Sequence, residues 1–297
     1  MKRYFFAGIW LIIQLNAMES LPEKVSSKEM IPLGIGNKMY YELAVGYLKN
    51  STINFKNKHV LDVCCKEGEI SHAMIDLVGR DGIVMGIDSD KVAIDKANKQ
   101  YKQKQNLSFH EIALENFEPS PQSLKFNVVT LFHSFDLIDN KKSFCESIHK
   151  VLGANGEFLV NVGPGKEPFD FQVTRTMLNN VPLMKWMPGF YKIDEILSKS
   201  YLKEQDYRDI FEQSGFDIIS LIKNMSTFVF TKEEFIEMKR SIVMRNYLMQ
   251  TFPTKMQNWI FNTLMDYFLP MLTQDDNGNY LYPIEEILIY ARKKDKK

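Results

Sequence analysis

The sequence predicts an α/β protein built on a doubly wound parallel sheet. Two observations lead there. Short apolar, β-branched runs alternate with segments whose apolar residues recur at helical spacing, from residue 59 to residue 162. An acidic residue, Asp88, closes the second of these runs about 20 residues beyond a lone turn glycine, Gly68, which is the spacing of a sheet that holds a ligand at its strand ends.

The elements follow in order. Residues 37–49 carry Met39, Leu43 and Tyr47 at helical spacing and form a helix. The run 59–64 is largely apolar and β-branched, as a buried strand requires. A helix over 69–78 is closed by Gly79, a second buried strand covers 82–87, and a helix over 90–104 takes Ser89 or Asp90 as its cap. Strands are expected at 107–112 and 126–132, then a helix over 141–152 ended by Gly153, then a fifth strand at 156–162. Right-handed crossovers place the helices on both faces.

Beyond residue 165 the pattern changes. Residues 168–192 are rich in Met, Phe, Trp and Pro, 194–213 reads as helix, and 216–222 as a strand. Residues 231–270 are largely helical, and ILIYAR (287–292) is a final strand. The expected organisation is a linker and helix over 19–52, a Rossmann-like core over 53–165, and a lid, a helical insertion and the last strands over 166–297.

Composition narrows the function. The chain has 297 residues with 37 basic and 37 acidic side chains, so nothing in the charge balance favours a nucleic-acid partner. Cys64, Cys65 and Cys145 form neither a disulfide framework nor a zinc spacing, and no metal site is expected. Residues 1–18 resemble an export signal: Lys2 and Arg3 precede an apolar run over 4–15 that is too short to span a membrane. The expectation is a secreted or exported protein without a stable membrane span; the alternative is a cytoplasmic one.

The chemistry concentrates around DVCCKEG (62–68), which leads from the first strand into a tight turn. A carboxylate at Asp88 can accept both hydroxyls of a ribose. The N–H groups of the turn and of the helix start can hold an anionic group. A dinucleotide would call for G-x-G-x-x-G, so that backbone approaches the pyrophosphate. Here Lys66 and Glu67 crowd that path, and Glu67 and Glu69 repel phosphate. A cofactor without phosphate fits better, and an NAD-dependent oxidoreductase is disfavoured.

These segments resemble the class I S-adenosylmethionine-dependent methyltransferases, with the nearest pattern in the trans-aconitate and juvenile hormone acid methyltransferase group. VLDVCCKEGEIS (60–71) is similar to that family's VLDVGCGxGxxT, and IVMGIDSD (83–90) to its strand ending in G-I/V-D. FNVVTLF, LGANGEF, DIFEQSGF and IYARK, beginning at 126, 152, 209 and 289, fall in the family's order. The resemblance implies a seven-stranded sheet of the methyltransferase type, S-adenosyl-L-methionine as cofactor, and a small-molecule or lipid-like acceptor. It places Asp62, Cys64, Lys66 and Gly68 toward the methionine part of the cofactor and Asp88 on the ribose. Ser89, Ala113 and Leu114 fall beside the adenine, and Phe132 and His133 at the methyl-donor mouth. His133 and Asp136 are the candidate bases for a hydroxyl or amine acceptor. Three departures stand out. Cys64 and Lys66 replace two glycines, Ala113 replaces an acid, and Asp136-Leu137 replaces the His-Trp pair of carboxyl-methylating relatives. They motivate an alternative in which the chain is a methyltransferase-like binding module without catalysis.

Overall fold

The computed structural model describes residues 35–113, 125–180, 201–243 and 254–294. The signal-like segment 1–18 and Leu114 lie outside the described residues. The chain divides into two compact units, each assembled from separated segments.

The larger unit comprises residues 40–162, 203–224 and 286–297. Its strands belong to an eight-stranded sheet ordered β3-β2-β1-β4-β5-β8-β6, with β7 paired to β8. Strands β1 (His59–Val63), β2 (Ile83–Asp88), β3 (Leu107–Glu111), β4 (Phe126–Leu131) and β5 (Leu152–Val162) pair in parallel. β8 (Tyr280–Lys293) then runs antiparallel to β5. The order reverses between β1 and β4, where Val63 stands opposite Leu131, so the carboxyl ends of these two strands form the switch point. Val60, Leu61, Val128, Val129, Phe158, Leu159 and Val160 are fully buried, as strands covered on both faces must be.

Each helix presents one stripe to this sheet. Helix α1 (Ile35–Asn50) buries Leu43, Ala44, Tyr47 and Leu48. Helix α2 (Glu69–Val78) buries Ser71, Met74 and Val78. Helix α3 (Lys91–Gln100) buries Ala93, Ile94 and Ala97, and Asp90 caps it by accepting from the N–H groups of Val92 and Ala93. Helix α4 (Lys141–Val151) buries Cys145, Ile148 and Val151.

The boundaries depart from expectation where backbone geometry overrides local signals. Gly153 does not end α4; Leu152 already begins β5, and Asn155 in the left-handed region (φ 54°) lets the strand bulge between its partners Phe126 and Val128. The helix expected from residue 194 begins, within the described residues, as α6 (Glu204–Gln213), where the Asp206 carboxylate accepts from the Lys203 N–H at 2.7 Å. β6 (Phe216–Phe230) and β8 outrun their expected lengths. Lys223 and Asn224 break the apolar pattern of β6, an outer strand that tolerates polar side chains on its solvent side. Glu285 and Glu286 break that of β8, which lies inside the sheet order between β5 and β6. β7 (Thr273–Gln274) had no sequence signal.

The smaller unit comprises residues 1–39, 163–202 and 225–285. Helices α5 (Phe169–Asn180), α7 (Lys232–Val243) and α8 (Thr254–Met271) bury Phe171, Phe235, Phe261 and Phe268. Lys239 is buried among them. Its ammonium sits 4.4 Å from the Phe268 ring centre and 4.2 Å from that of Tyr282, and bonds both Asp170 oxygens at 2.8 and 2.9 Å. Burial pulls the Lys239 pKa down against the opposing pull of Asp170. Among the described residues, no helix is long and apolar enough to cross a membrane.

Candidate active site at the β1 and β4 strand ends

The turn after β1 is built from alternating left-handed residues: Cys64 (φ 57°), Lys66 (φ 52°) and Gly68 (φ 84°). L-residues pay roughly 1–2 kcal/mol for that conformation, so the surroundings must hold it. They do so with three backbone bonds. The Cys65 N–H donates to the Ile87 carbonyl, the Gly68 N–H to the Cys65 carbonyl, and the Lys66 N–H to Asp88 Oδ2, at 3.1, 2.9 and 2.9 Å. Gly68 is required twice over. Its φ is positive, and a Cβ there would lie 2.4 Å from the edge of the buried Phe109 ring. Gly86 on β2 faces the same ring, with a hypothetical Cβ 2.7 Å away.

Asp88 therefore ties two strand ends together. Its second oxygen accepts from the Asp90 N–H at 2.8 Å. Each oxygen has taken one N–H, and each retains a further lone pair. Ser89 beside it is exposed, and Ala113 is half-buried at the end of β3, where the Ile112 N–H donates to the Asp88 carbonyl at 3.0 Å. Lys66 is exposed, so its side chain leaves the turn instead of filling it. Glu67 is drawn to Lys96 at 3.2 Å.

Asp62 sits beneath the turn, 2% exposed. Its oxygens accept from Ser71 Oγ at 2.5 Å and Thr130 Oγ1 at 2.9 Å, which links β1, α2 and β4. Burial pushes its carboxyl up to about 6, against the lowering effect of these two hydroxyls. Burial, reinforced by Asp88 and Asp62, pushes the Cys64 thiol up to about 12, which leaves it a neutral turn residue and no nucleophile at neutral pH. Among the described residues, no cluster of His, Cys, Asp or Glu could hold a metal ion.

At the β4 end, Phe132 is buried and its ring stacks near Tyr47, with centroids 6.4 Å apart. His133 is again left-handed (φ 55°). Its N–H donates to Asn161 Oδ1 at 2.8 Å, its Nδ1 lies 3.1 Å from Glu286 Oε1, and its Nε2 lies 3.0 Å from the Tyr40 carbonyl. The imidazole is thus held in a buried network and not open to solvent. Asp136, in a short 3-10 turn over Phe135–Leu137, is exposed and accepts from the Tyr207 hydroxyl at 3.0 Å. The sequence reading brought Asp62, Cys64, Lys66, Gly68, Asp88, Phe132 and His133 to one switch point. It missed Ser71, Thr130, Asn161, Tyr47 and Glu286. Asn161 carried a readable signal, a lone amide inside the apolar strand run FLVNV.

These features suit a nucleoside cofactor without phosphate. The β2-end carboxylate is available to hydroxyls, and the turn keeps its left-handed course while acidic side chains flank it. Comparison with known proteins agrees. The family model described as a methyltransferase domain matches residues 54–215. Among solved structures, a Bacillus halodurans protein described as a candidate methyltransferase has a TM-score of 0.53 at 18% identity, covering 85% of this chain and 99% of its own. The [4+2]-cyclase SpnF has a TM-score of 0.54 at 11% identity, covering 98% of this chain and 94% of its own. A Haemonchus contortus phosphoethanolamine N-methyltransferase, solved with S-adenosylhomocysteine, has a TM-score of 0.50 at 14% identity, covering 98% of this chain and 57% of its own. At these identities the likeness is one of fold. No curated protein sequence matches the chain significantly. With more than half its length matched by that family model, the chain belongs to the methyltransferase-domain family, enzymes whose cofactor is S-adenosylmethionine.

Proposed function

We propose that the enzyme methylates a small-molecule or lipid-like acceptor. When bound, S-adenosylmethionine supplies a methyl group already activated by its sulfonium, so the protein's task is alignment and exclusion of water. The observation that carries the reading is the turn itself: Cys64, Lys66 and Gly68 keep one left-handed course, and Asp88 accepts from the Lys66 N–H within it. We assign the remaining lone pairs of Asp88 to the ribose, and Ser89, Ala113 and Leu114 to the adenine side. Cys64, Gly68 and the exposed Lys66 ammonium fall to the methionine end, where Lys66 would answer a carboxylate. Asp62 holds the turn from below through Ser71 and Thr130.

The acceptor class rests on two features. Charge is balanced, 37 against 37, which offers no electrostatic steering toward nucleic acid. Phe132, Tyr40 and Tyr47 make the β4 end apolar and aromatic. A carboxylate acceptor needs no base. For a hydroxyl or amine, the exposed Asp136 is the candidate proton acceptor, with His133 orienting the strand end. The test is calorimetric titration with S-adenosylhomocysteine, followed by methyl-labelled S-adenosylmethionine offered with small amines, phenols, fatty acids, RNA and protein. Label in an organic-extractable product supports the reading; label in RNA or protein refutes it.

A further inference from the structure

A single carboxylate gathers the β4 strand end. Glu286, on β8, places Oε1 2.6 Å from Asn161 Nδ2 and 3.1 Å from His133 Nδ1, while its Oε2 accepts from the Tyr47 hydroxyl at 2.7 Å. Tyr47 in turn accepts from Asn224 Nδ2 at 3.0 Å. The acid is mostly buried, with 12% of its side chain exposed, and the His133 side chain has 7%. Burial, with Glu286 adding, raises the Tyr47 pKa, which keeps that hydroxyl a donor. The assembly joins four elements of the larger unit: α1 through Tyr40 and Tyr47, the β4 end, β5 through Asn161, and β8. A left-handed backbone at a bulky residue is strained unless its surroundings over-determine it. At His133 they do, through the Asn161 oxygen on its N–H and Glu286 on its ring. His133 follows directly on Phe132, one step past the Val63–Leu131 pair at the switch point.

We propose that Glu286 is a positioning residue for methyl transfer. Through Asn161 and His133 it sets the left-handed β4 end, and through Tyr47 it fixes α1 beside that end, so the ligand-facing wall at Phe132 has one conformation. The proposal rests on the reading that cofactor and acceptor meet at the β1 and β4 strand ends. A structural role alone would lower melting temperature and leave ligand affinity unchanged in the folded protein. A positioning role moves affinity, and because His133 and Glu286 act as one unit, their losses do not add.

The experiment is calorimetric titration of the full chain with S-adenosylhomocysteine, well below each variant's melting temperature. Glu286→Gln keeps the shape but sets an amide N–H₂ against one of its present donors. It is expected to weaken binding about tenfold, the size of one charge-assisted hydrogen bond. His133→Gln is expected to lose a similar factor, and the double variant no more than either single one. Native-like affinity in Glu286→Gln overturns the proposal, and so do losses that multiply in the double variant. Should Glu286→Gln not fold, Tyr47→Phe, which removes only the α1 link, is expected to weaken binding at least threefold, and native affinity there overturns it equally. If the native chain itself gives no heat, the cofactor reading fails and this proposal with it. If the native chain binds and the variants match it, only this proposal fails.

Discussion

Replacing Asp62 by Asn should change how stability depends on pH, and the direction follows from two opposed forces on one carboxylate. Burial favours the neutral acid; the hydroxyls of Ser71 and Thr130 favour the anion. Burial wins, and the folded pKa lies at about 6 against an ordinary 3.8. A folded acid that holds its proton more tightly than the unfolded chain adds stability at low pH, and that contribution is lost as pH rises through about 4 to 6. Integrated over the whole titration, from below both pKa values to above both, the loss is about 3 kcal/mol. The amide introduced by Asp62→Asn does not titrate, so the stability of the variant relative to the native chain should rise by roughly 2.5 kcal/mol between pH 4 and pH 7. Urea unfolding of both proteins across that range, at fixed ionic strength, measures it. Taking the difference cancels acids such as Glu204 and Asp275, whose pKa values hydrogen bonds lower. A difference that stays flat would show that the two hydroxyls offset burial, and one that moves against the variant with rising pH would show that they outweigh it; either refutes the reasoning.

Gly68→Ala should destabilise the fold by at least about 2 kcal/mol, from the positive φ together with overpacking on Phe109; trimming the ring in Gly68→Ala/Phe109→Leu should recover part of it in the same urea assay. Lys66→Gly exchanges left-handed strain for chain entropy, so stability should change by no more than about 1 kcal/mol. Affinity for S-adenosylhomocysteine should fall in that variant if the Lys66 ammonium answers the ligand carboxylate, and calorimetry reads this directly. Asp170→Asn should cost about 3–5 kcal/mol in thermal or urea unfolding, because it strands the Lys239 charge inside an aromatic shell.

The parallel core was legible because strands covered on both faces are mostly apolar, and a buried polar side chain such as Asp62 or Thr130 must find its partner inside. The runs at 60–63, 84–87 and 126–131 announce themselves by composition, and the helices between them by spacing. Beyond residue 213 legibility dropped for the converse reason. β6 carries Lys223, Asn224 and Ser226 because it lies at the end of the sheet order, where one side of a strand can be polar. β8 carries the mostly buried Glu286 because its charge is spent on His133, Asn161 and Tyr47. A charge satisfied by residues 125 to 239 positions away leaves no local trace.

The turn itself separates composition from conformation. Counting glycines suggests a degraded site, since Cys64 and Lys66 stand where the family pattern has glycine. The backbone does not follow the count: both residues are left-handed, in step with Gly68. What permits this is the environment. The Asp88 carboxylate draws in the Lys66 N–H, the Ile87 carbonyl takes the Cys65 N–H, and the Lys66 side chain turns out to solvent. Only at position 68, where the Phe109 ring leaves no room for a Cβ, is glycine indispensable. The one glycine that the sequence retains is the one that packing forbids it to lose. At the two it lacks, Cys64 is half-buried and Lys66 exposed, and the backbone keeps its left-handed course with both side chains in place, so their replacement is compatible with an intact cofactor turn.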